Sequence, residues 1–165
     1  LQVPKLDAQG RLSMVERTLD VAIPVGVREG QHLRLAGQGA GGFDGSPAGD
    51  LYLEISFHAH PLFRVDGRDV HLDLPVAPWE AALGASVAVP TPDGSVTLSI
   101  PAGSADARKL RLKGKGIPGK LPGDLYVILR VALPPEASAP QQQAWRSLAQ
   151  AYEGTFNPRA AMEVK

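Results

Sequence analysis

The amino-acid sequence predicts an all-β protein, built as two tandem small β-sandwich-like domains with a short inter-strand helix and a C-terminal helix. Three observations support this fold class: an internal repeat, a period-two alternation of apolar residues, and a high content of helix-breaking residues. The chain of 165 residues contains 18 Gly and 15 Pro. Because both residue types destabilise helix interiors, long helices are disfavoured over most of the chain.

The repeat consists of Ile-Pro-x-Gly followed by Leu-Arg-Leu-x-Gly-x-Gly. The first copy begins at Ile23 and the second at Ile100, an offset of 77 residues. A Gly-Asp-Leu-Tyr block begins at Gly49 and recurs at Gly123, 74 residues later, so the preceding loop is three residues shorter in the second copy. Two copies are too few for a solenoid, and we predict two similar domains at residues 1–58 and 59–135.

Within both copies, apolar residues alternate with polar or small ones, which places one row of side chains against a core. The alternating segments are 19–23, 33–35, 51–57, 70–76, 87–89, 96–100, 110–112 and 125–131. Residues that accept tight-turn dihedrals occupy 7–10, 65–68 and 91–94. These runs predict strands joined by turns.

Two segments depart from the strand pattern. Pro78–Leu83 predicts a short helix, with Pro at its start and Gly84 just after its end. Pro140–Tyr152 predicts a longer helix with Ser138 or Ala139 near its N-cap, following a Pro-rich linker. We assign residues 136–165 to this linker and C-terminal segment.

The composition excludes several classes of site. Lys plus Arg and Asp plus Glu number 17 each, so no global field draws the chain to nucleic acid or to an anionic membrane. The absence of cysteine removes disulfides, thiolate nucleophiles and cysteine-bound metals. No apolar stretch is long enough to span a bilayer, and the first residues do not form a signal peptide. Because the chain begins with Leu1, we interpret it as a fragment of a soluble, cytoplasmic protein.

Several motifs resemble catalytic or cofactor sites only in their letters. Gly37–Gly42 and Gly114–Gly119 both read G-x-G-x-x-G, but the residues after them cannot open the helix that a dinucleotide or phosphate site requires. His58 and His60 stand two residues apart without a third ligand, so no metal site is predicted. No nucleophile elbow or catalytic triad is present. The sequence therefore predicts a protein that is not an enzyme and has no cofactor.

One local charge feature stands out in this neutral chain. The basic residues are Arg108, Lys109, Arg111, Lys113, Lys115 and Lys120, with no acidic residue between Asp106 and Asp124. Such a stripe is able to contact phosphates. A solvated strand face is the alternative, because the charges alternate with apolar residues. Both interpretations stay open at this level.

A set of motifs in a fixed order resembles one family. His60–Phe63, Asp66–Val70, Trp79–Gly84 and Val89–Gly94 together look like the C-terminal region of DnaJ-type J-domain co-chaperones. The repeated block is similar to both peptide-binding domains of that family. Phe156–Arg159, the tryptophan-bearing C-terminal helix and the absence of cysteine resemble the curved-DNA-binding subgroup most closely.

The resemblance implies a client-binding (holdase) region that holds apolar segments of unfolded proteins in a shallow groove of the first domain. We expect Leu1, Val3, Leu51 and Leu53 to line that groove, although Leu51 and Leu53 as plain core residues are the alternative. The second domain is implied to act mainly as a spacer, and the protein is expected in the cytoplasm or at the nucleoid. DNA binding is a further implied property, and a DNA-binding module that acts through the basic stripe at 108–120 is the alternative function. The family's first domain normally begins with a strand before Leu1, so that domain is expected to be incomplete here.

The resemblance also implies partners. A DnaK-type chaperone would act through a J domain, which this sequence lacks. A homodimer is expected through the C-terminal helix, whose apolar face and following aromatic are Trp145, Leu148, Ala149, Tyr152 and Phe156. The alternative is a helix folded back on the second domain.

Overall fold

The computed structural model describes residues 2–6, 12–41, 46–135 and 138–162, with the backbone alone for residues 3–6, 12, 13 and 161. The strands are β1 Gln2–Leu6, β2 Leu12–Glu16, β3 His32–Leu35, β4 Leu51–Glu54, β5 Phe63–Asp66, β6 Asp69–Val76, β7 Ala85–Thr91, β8 Gly94–Ile100, β9 Lys109–Leu112 and β10 Leu125–Val131. The helices are α1 Pro78–Leu83, α2 Ala139–Ala151 and a 3₁₀ turn at Ala160–Met162. The predicted all-β class is confirmed. The sandwich arrangement and the domain boundaries stay predictions.

The strands form four sheets in the described part of the chain. Three are antiparallel pairs, β1–β2, β3–β4 and β7–β8. The fourth has the order β5-β6-β10-β9, in which β6 and β10 are parallel and the outer pairings are antiparallel. The segment from α1 to β9 connects the parallel strands, as a parallel pairing requires a long crossover.

The hydrophobic core of the described residues lies between residues 70 and 129. Its buried apolar residues come from β6, α1, β7, β8 and β10: Val70, Leu72, Val76, Ala81, Val89, Leu98, Ile100, Leu125, Val127 and Leu129. Alternation along β10 turns Leu125, Val127 and Leu129 inward, and each has an exposed fraction of 0%. Burial of such side chains stabilises a fold by about 1.5–3 kcal/mol each.

An ion pair with an added backbone contact shapes the same loop in both copies. Arg34 Nε donates to Asp50 Oδ2 at 2.6 Å, while the Gly37 amide donates to Asp50 Oδ1 at 2.9 Å. In the second copy Arg111 Nε donates to Asp124 Oδ2 at 2.7 Å, and the corresponding glycine amide donates to the other carboxylate oxygen at 2.7 Å. This carboxylate clasp explains why Leu-Arg-Leu-x-Gly and Gly-Asp recur together.

The backbone before β3 and β9 also repeats. The Gly30 amide donates to the Ile55 carbonyl at 2.8 Å, and the Ala107 amide donates to the Leu129 carbonyl at 2.9 Å. Both donors adopt a left-handed conformation, with φ of 73° at Gly30 and 59° at Ala107. A non-glycine residue in this region is uncommon, so the shared turn constrains the second copy strongly enough to hold an alanine there.

Both predicted helices are present. Pro78 begins α1, the Glu80 carboxylate accepts a hydrogen bond from the Ala77 amide at 2.7 Å, and Gly84 ends the helix with φ of 84°. α2 runs one residue earlier than predicted, with Ser138 as N-cap. None of the helices in the described part of the chain has the length and apolar character needed to cross a bilayer.

Two strand predictions are wrong. Residues 19–23 form no strand, because no backbone hydrogen bond joins them to a neighbouring strand among the described residues. Their alternation still orders the side chains, since Leu19 and Val21 are half-buried while Ile23 is exposed. β4 ends at Glu54, before the predicted end at residue 57. The predicted turn at 7–10 lies outside the described residues.

Gly123 offers a test of the packing between the β5–β6 turn and the loop before β10. A Cβ at Gly123 would lie 1.8 Å from the Arg68 carbonyl oxygen, whereas a Cβ at Gly49, its counterpart, would lie 4.0 Å from the Ala40 carbonyl oxygen. We expect Gly123→Ala to lower the free energy of unfolding by about 3 kcal/mol, at the upper end of the usual cost of overpacking, because backbone must move. Gly49→Ala should change it by less than about 0.5 kcal/mol. Urea unfolding of both variants measures the difference, and equal values would contradict the packing.

The carboxylate clasp predicts that the stability of the fold depends on pH. The amide of Gly114 and the guanidinium of Arg111 lower the pKa of Asp124 from its usual value. A carboxylate with a lowered folded pKa stabilises the fold above its unfolded pKa of about 4, and this stabilisation is lost as pH falls through the folded pKa. Asp124→Asn should therefore reduce the stability near neutral pH and flatten the loss of stability below about pH 4. Thermal unfolding across that range tests it, and an unchanged acid profile in the variant would exclude the effect.

Candidate functional site

A shallow apolar groove lies in the first copy of the repeat. Leu51 and Leu53 of β4 line it with Leu19, Val21 and Leu35, and its volume is about 300 Å³. Each of these five side chains is half-buried. Residues Leu51 and Leu53 face the same way because they are two apart on a strand. The groove thus has a floor of apolar side chains that remain accessible.

The second copy shows the same positions in a different environment. Leu125 and Val127 stand 74 residues after Leu51 and Leu53, and their exposed fraction is 0%. The difference follows from strand pairing: β10 lies between β9 and β6, whereas β4 pairs with β3 alone in the described part of the chain. The groove therefore runs beside a strand edge whose backbone groups have no ladder partner among the described residues.

The other two predicted groove residues lie at the start of the chain. Leu1 lies outside the described residues. Val3 belongs to β1, where its backbone pairs with Val15 of β2, and its side chain lies outside the described part of the structure. Their assignment to the groove stays a prediction.

A second apolar depression of about 550 Å³ separates α1 from α2. Its lining consists of Pro78, Trp79, Ala82, Leu83, Pro134, Gln141, Ala144, Trp145, Leu148 and Tyr152. Trp145, Leu148 and Tyr152 thus line one surface, which lies opposite α1. Their assignment to a dimer interface stays a prediction. The other two predicted residues, Ala149 and Phe156, are not among the lining residues, although Phe156 makes an edge-on ring contact with Tyr152 at 6.3 Å.

Sequence reasoning missed the contribution of α1 to this depression. Trp79 and Leu83 are 53% and 79% exposed. Their spacing of four residues on one helix was the available signal, because it places both side chains on one face. α2 itself contains no buried residue in the described part of the chain.

The basic residues predicted as a stripe occupy different settings. Lys109 and Arg111 lie on β9, two residues apart and on one face of the sheet. Arg111 is paired with Asp124, and Arg108 Nη1 donates to Ser104 Oγ at 3.4 Å. Lys113, Lys115 and Lys120 lie in the loop between β9 and β10. The structure therefore divides the stripe into a strand part and a loop part.

The strand part joins other polar residues on the outer face of the four-stranded sheet. His71 of β6 and Tyr126 of β10 stack with ring centroids 5.2 Å apart, and Lys109 Nζ lies 5.3 Å from the Tyr126 centroid. Asp73 accepts hydrogen bonds from Arg64 at 2.8 Å and from Arg130 at 3.2 Å. Hydrogen bonding from Arg64 lowers the pKa of Asp73, so that carboxylate is ionised at neutral pH.

The glycine-rich loops use their amides within the fold. The Gly116 amide donates to the Gly123 carbonyl at 2.9 Å, and the Gly114 amide donates to Asp124. β10, rather than a helix, follows the second loop. No group of three or more potential metal ligands is found among the described residues.

Comparison with known proteins assigns the family. A family model for the DnaJ C terminal domain matches residues 5–134. The chain belongs to the DnaJ C-terminal domain family. The resemblance seen in its motifs is thereby confirmed, and the match covers both copies of the repeat.

Curated relatives of this family carry the name Curved DNA-binding protein. The protein from Coxiella burnetii (strain RSA 493 / Nine Mile phase I) is 49% identical over 160 residues, which is 96% of this chain and 50% of the relative. The protein from Serratia proteamaculans (strain 568) is 47% identical over 159 residues, covering 95% of this chain and 51% of the relative. The chain therefore spans about half the length of the curated relatives that it matches.

Proposed function

We propose that this chain is the client-binding region of a DnaJ-type co-chaperone and holds apolar segments of unfolded proteins without chemical turnover. The observation that carries the proposal is the exposure of Leu51 and Leu53, whose counterparts Leu125 and Val127 are fully buried. The same sequence pattern supplies a sealed core in one copy and an accessible apolar groove in the other. Family membership supports this assignment.

The groove suits an unfolded client for two physical reasons. Unfolded chains expose apolar side chains, which gain free energy when the groove removes them from water. They also carry unpaired backbone groups, which the free edge of β4 can satisfy by strand addition. Ladder hydrogen bonds do not depend on side-chain identity, so such a site tolerates many sequences. In the same chain, β6 pairs in parallel with β10, the counterpart of β4, which is an example of the strand pairing that a client would make with β4.

We further propose that two chains associate through the apolar surface shared by α1 and α2. Trp79, Trp145 and Tyr152 are aromatic residues of the kind that anchor interfaces, and the surface around them is open. A two-fold pairing would use one surface on both subunits. Two grooves on one dimer would raise the avidity for a long client without any new contact.

The whole protein is proposed to work with a DnaK-type chaperone through a J domain, in the cytoplasm and at the nucleoid. DNA is a second proposed ligand, favoured by the name that the relatives carry and by the cations between residues 108 and 120. Binding to phosphates would show a log–log salt slope of about −0.9 for each phosphate neutralised. Client and DNA binding use different residues and do not exclude one another.

The groove assignment predicts a loss of holding activity. Leu51→Ser combined with Leu53→Ser should abolish the suppression of client aggregation in the absence of nucleotide, because the apolar floor of the groove becomes polar. Light scattering of a chemically unfolded client at increasing chain concentration measures this effect. Leu62→Ser with Leu133→Ser is the matched control, since both leucines are exposed and lie outside the groove. Full holding by the folded groove variant would contradict the proposal.

The dimer proposal predicts a change in mass. Trp145→Ala with Leu148→Ala should convert the dimer to a monomer, because both side chains line the depression. Multi-angle light scattering measures the mass, and client holding should weaken in parallel. Arg146→Ala is the control, because Arg146 is an exposed residue of α2 that does not line this surface. A monomeric unmodified chain at tens of micromolar would refute the proposed dimer.

A further inference from the structure

The outer face of the four-stranded sheet collects charged and aromatic residues from all four of its strands. The strand registers place Arg64 beside His71, His71 beside Tyr126, and Tyr126 beside Arg111. Lys109 and Arg130 lie further along the same face, on β9 and β10. We call this set the cationic sheet face: Arg64, His71, Lys109, Arg111, Tyr126 and Arg130.

The charges of this face are divided between its two ends. Three cations, Arg64, Lys109 and Arg130, are accompanied by a single carboxylate, Asp73, which leaves a local surplus of two positive charges on a chain whose formal net charge is zero. Asp66, Asp69 and Asp124 gather beside Arg111 at the other end, where β5 turns into β6. The side chains of Arg64, Arg111 and Arg130 are at least 50% exposed. Each retains N–H groups beyond those used by its carboxylate partner.

The ring geometry favours contact with a sugar–phosphate backbone. β6 and β9 flank β10 on opposite sides, so His71 and Lys109 cover the two faces of the Tyr126 ring. With both faces covered, Tyr126 cannot serve as a platform on which a base stacks. Its hydroxyl group and the neighbouring cations are instead the types of group that hydrogen-bond to phosphate oxygens.

We propose that the cationic sheet face is the principal surface by which this chain contacts the phosphate backbone of double-stranded DNA. This inference rests on the DNA binding proposed above and names the surface for it. Four strands about 4.8 Å apart give a face about 14 Å wide, which corresponds to about four axial rises of 3.4 Å between successive phosphates of one strand. The contacts carry no base specificity, since phosphates position a protein on DNA without reading its sequence.

A pair of charge-neutralising variants tests the surface. Lys109→Gln with Arg130→Gln removes two cations of the sheet face, while Lys115→Gln with Lys120→Gln removes two cations of the loop. Fluorescence anisotropy of a short labelled duplex, measured over a salt series, should show the log–log slope of the sheet variant falling by about 1.8, or about 0.9 for each phosphate that is no longer neutralised. The slope of the loop variant should fall less. Arg146→Gln with Arg159→Gln, which changes the net charge equally away from the sheet, is the control for non-specific charge effects.

A variant that removes a carboxylate from this face tests the same surface, because it should increase the affinity for DNA. Asp73→Asn removes the carboxylate that engages both Arg64 and Arg130. It should increase DNA affinity several-fold at low salt, because two guanidinium groups become free to contact phosphates. Asp93→Asn, at the exposed β7–β8 turn, makes the same change in net charge and should have a smaller effect. Equal effects of the two substitutions would overturn the inference.

The results of these experiments distinguish a failure of the sheet-face assignment from a failure of the proposed DNA binding. If the unmodified chain binds the duplex and the loop variant loses more affinity than the sheet variant, the sheet face is not the surface, but DNA binding stands. If the unmodified chain shows no salt-dependent binding at low salt, DNA binding and the surface both fail. Circular dichroism during thermal unfolding shows that each variant is folded, and client holding by the sheet variant should equal that of the unmodified chain.

Discussion

The parallel pairing of β6 with β10 is the constraint on which the rest of the structure depends. It fills the second edge of β10, and the segment that connects the two strands returns α1, β7 and β8 to form the hydrophobic core around the β10 side chains. Leu125, Val127 and Leu129 are fully buried as a result. In the described first copy, β4 has β3 as its single strand partner, and the equivalent side chains of β4 line an open groove.

The two copies thus share a local framework and differ in what covers it. The carboxylate clasp holds the loop between the two repeated strands in the same shape, with Arg34 and Asp50 in one copy and Arg111 and Asp124 in the other. These hydrogen bonds lie within each strand pair and do not depend on whether other strands or helices cover that pair. The same framework is therefore compatible with a buried core and with an accessible apolar surface. We propose that the second copy has the buried core and that the first copy uses its accessible surface to hold clients.

Charge is distributed by the same alternation that builds the core. On β9 and β10 the inward positions are apolar, and the outward positions carry Lys109, Arg111, Tyr126 and Arg130 together with one apolar residue, Ile128. A chain with no net charge can in this way present a local positive surface. The groove, the α1–α2 surface and the sheet face involve different residues, so each proposed interaction can be altered without removing the others.

Much of this protein was predictable from the sequence alone. The repeat, the all-β class, α1 and most strands follow from residue spacing, because alternation and helix-capping residues act over a few neighbouring positions. The spacing of Trp145, Leu148 and Tyr152 on one helix also follows from the sequence, and the three residues line one surface in the structure. Which apolar row is buried was not predictable, since Leu51 and Leu125 occupy equivalent positions in the two copies.

Tertiary structure decided the features that depend on distant partners. Residues 19–23 alternate like a strand but have no ladder partner among the described residues, and α1 faces α2 only because the chain brings them together. Arg64, Lys109 and Arg130 are far apart in sequence and meet on one sheet face through strand order. The physical reason is common to all three cases: local spacing determines which side of an element a side chain occupies, and long-range pairing determines what lies on that side.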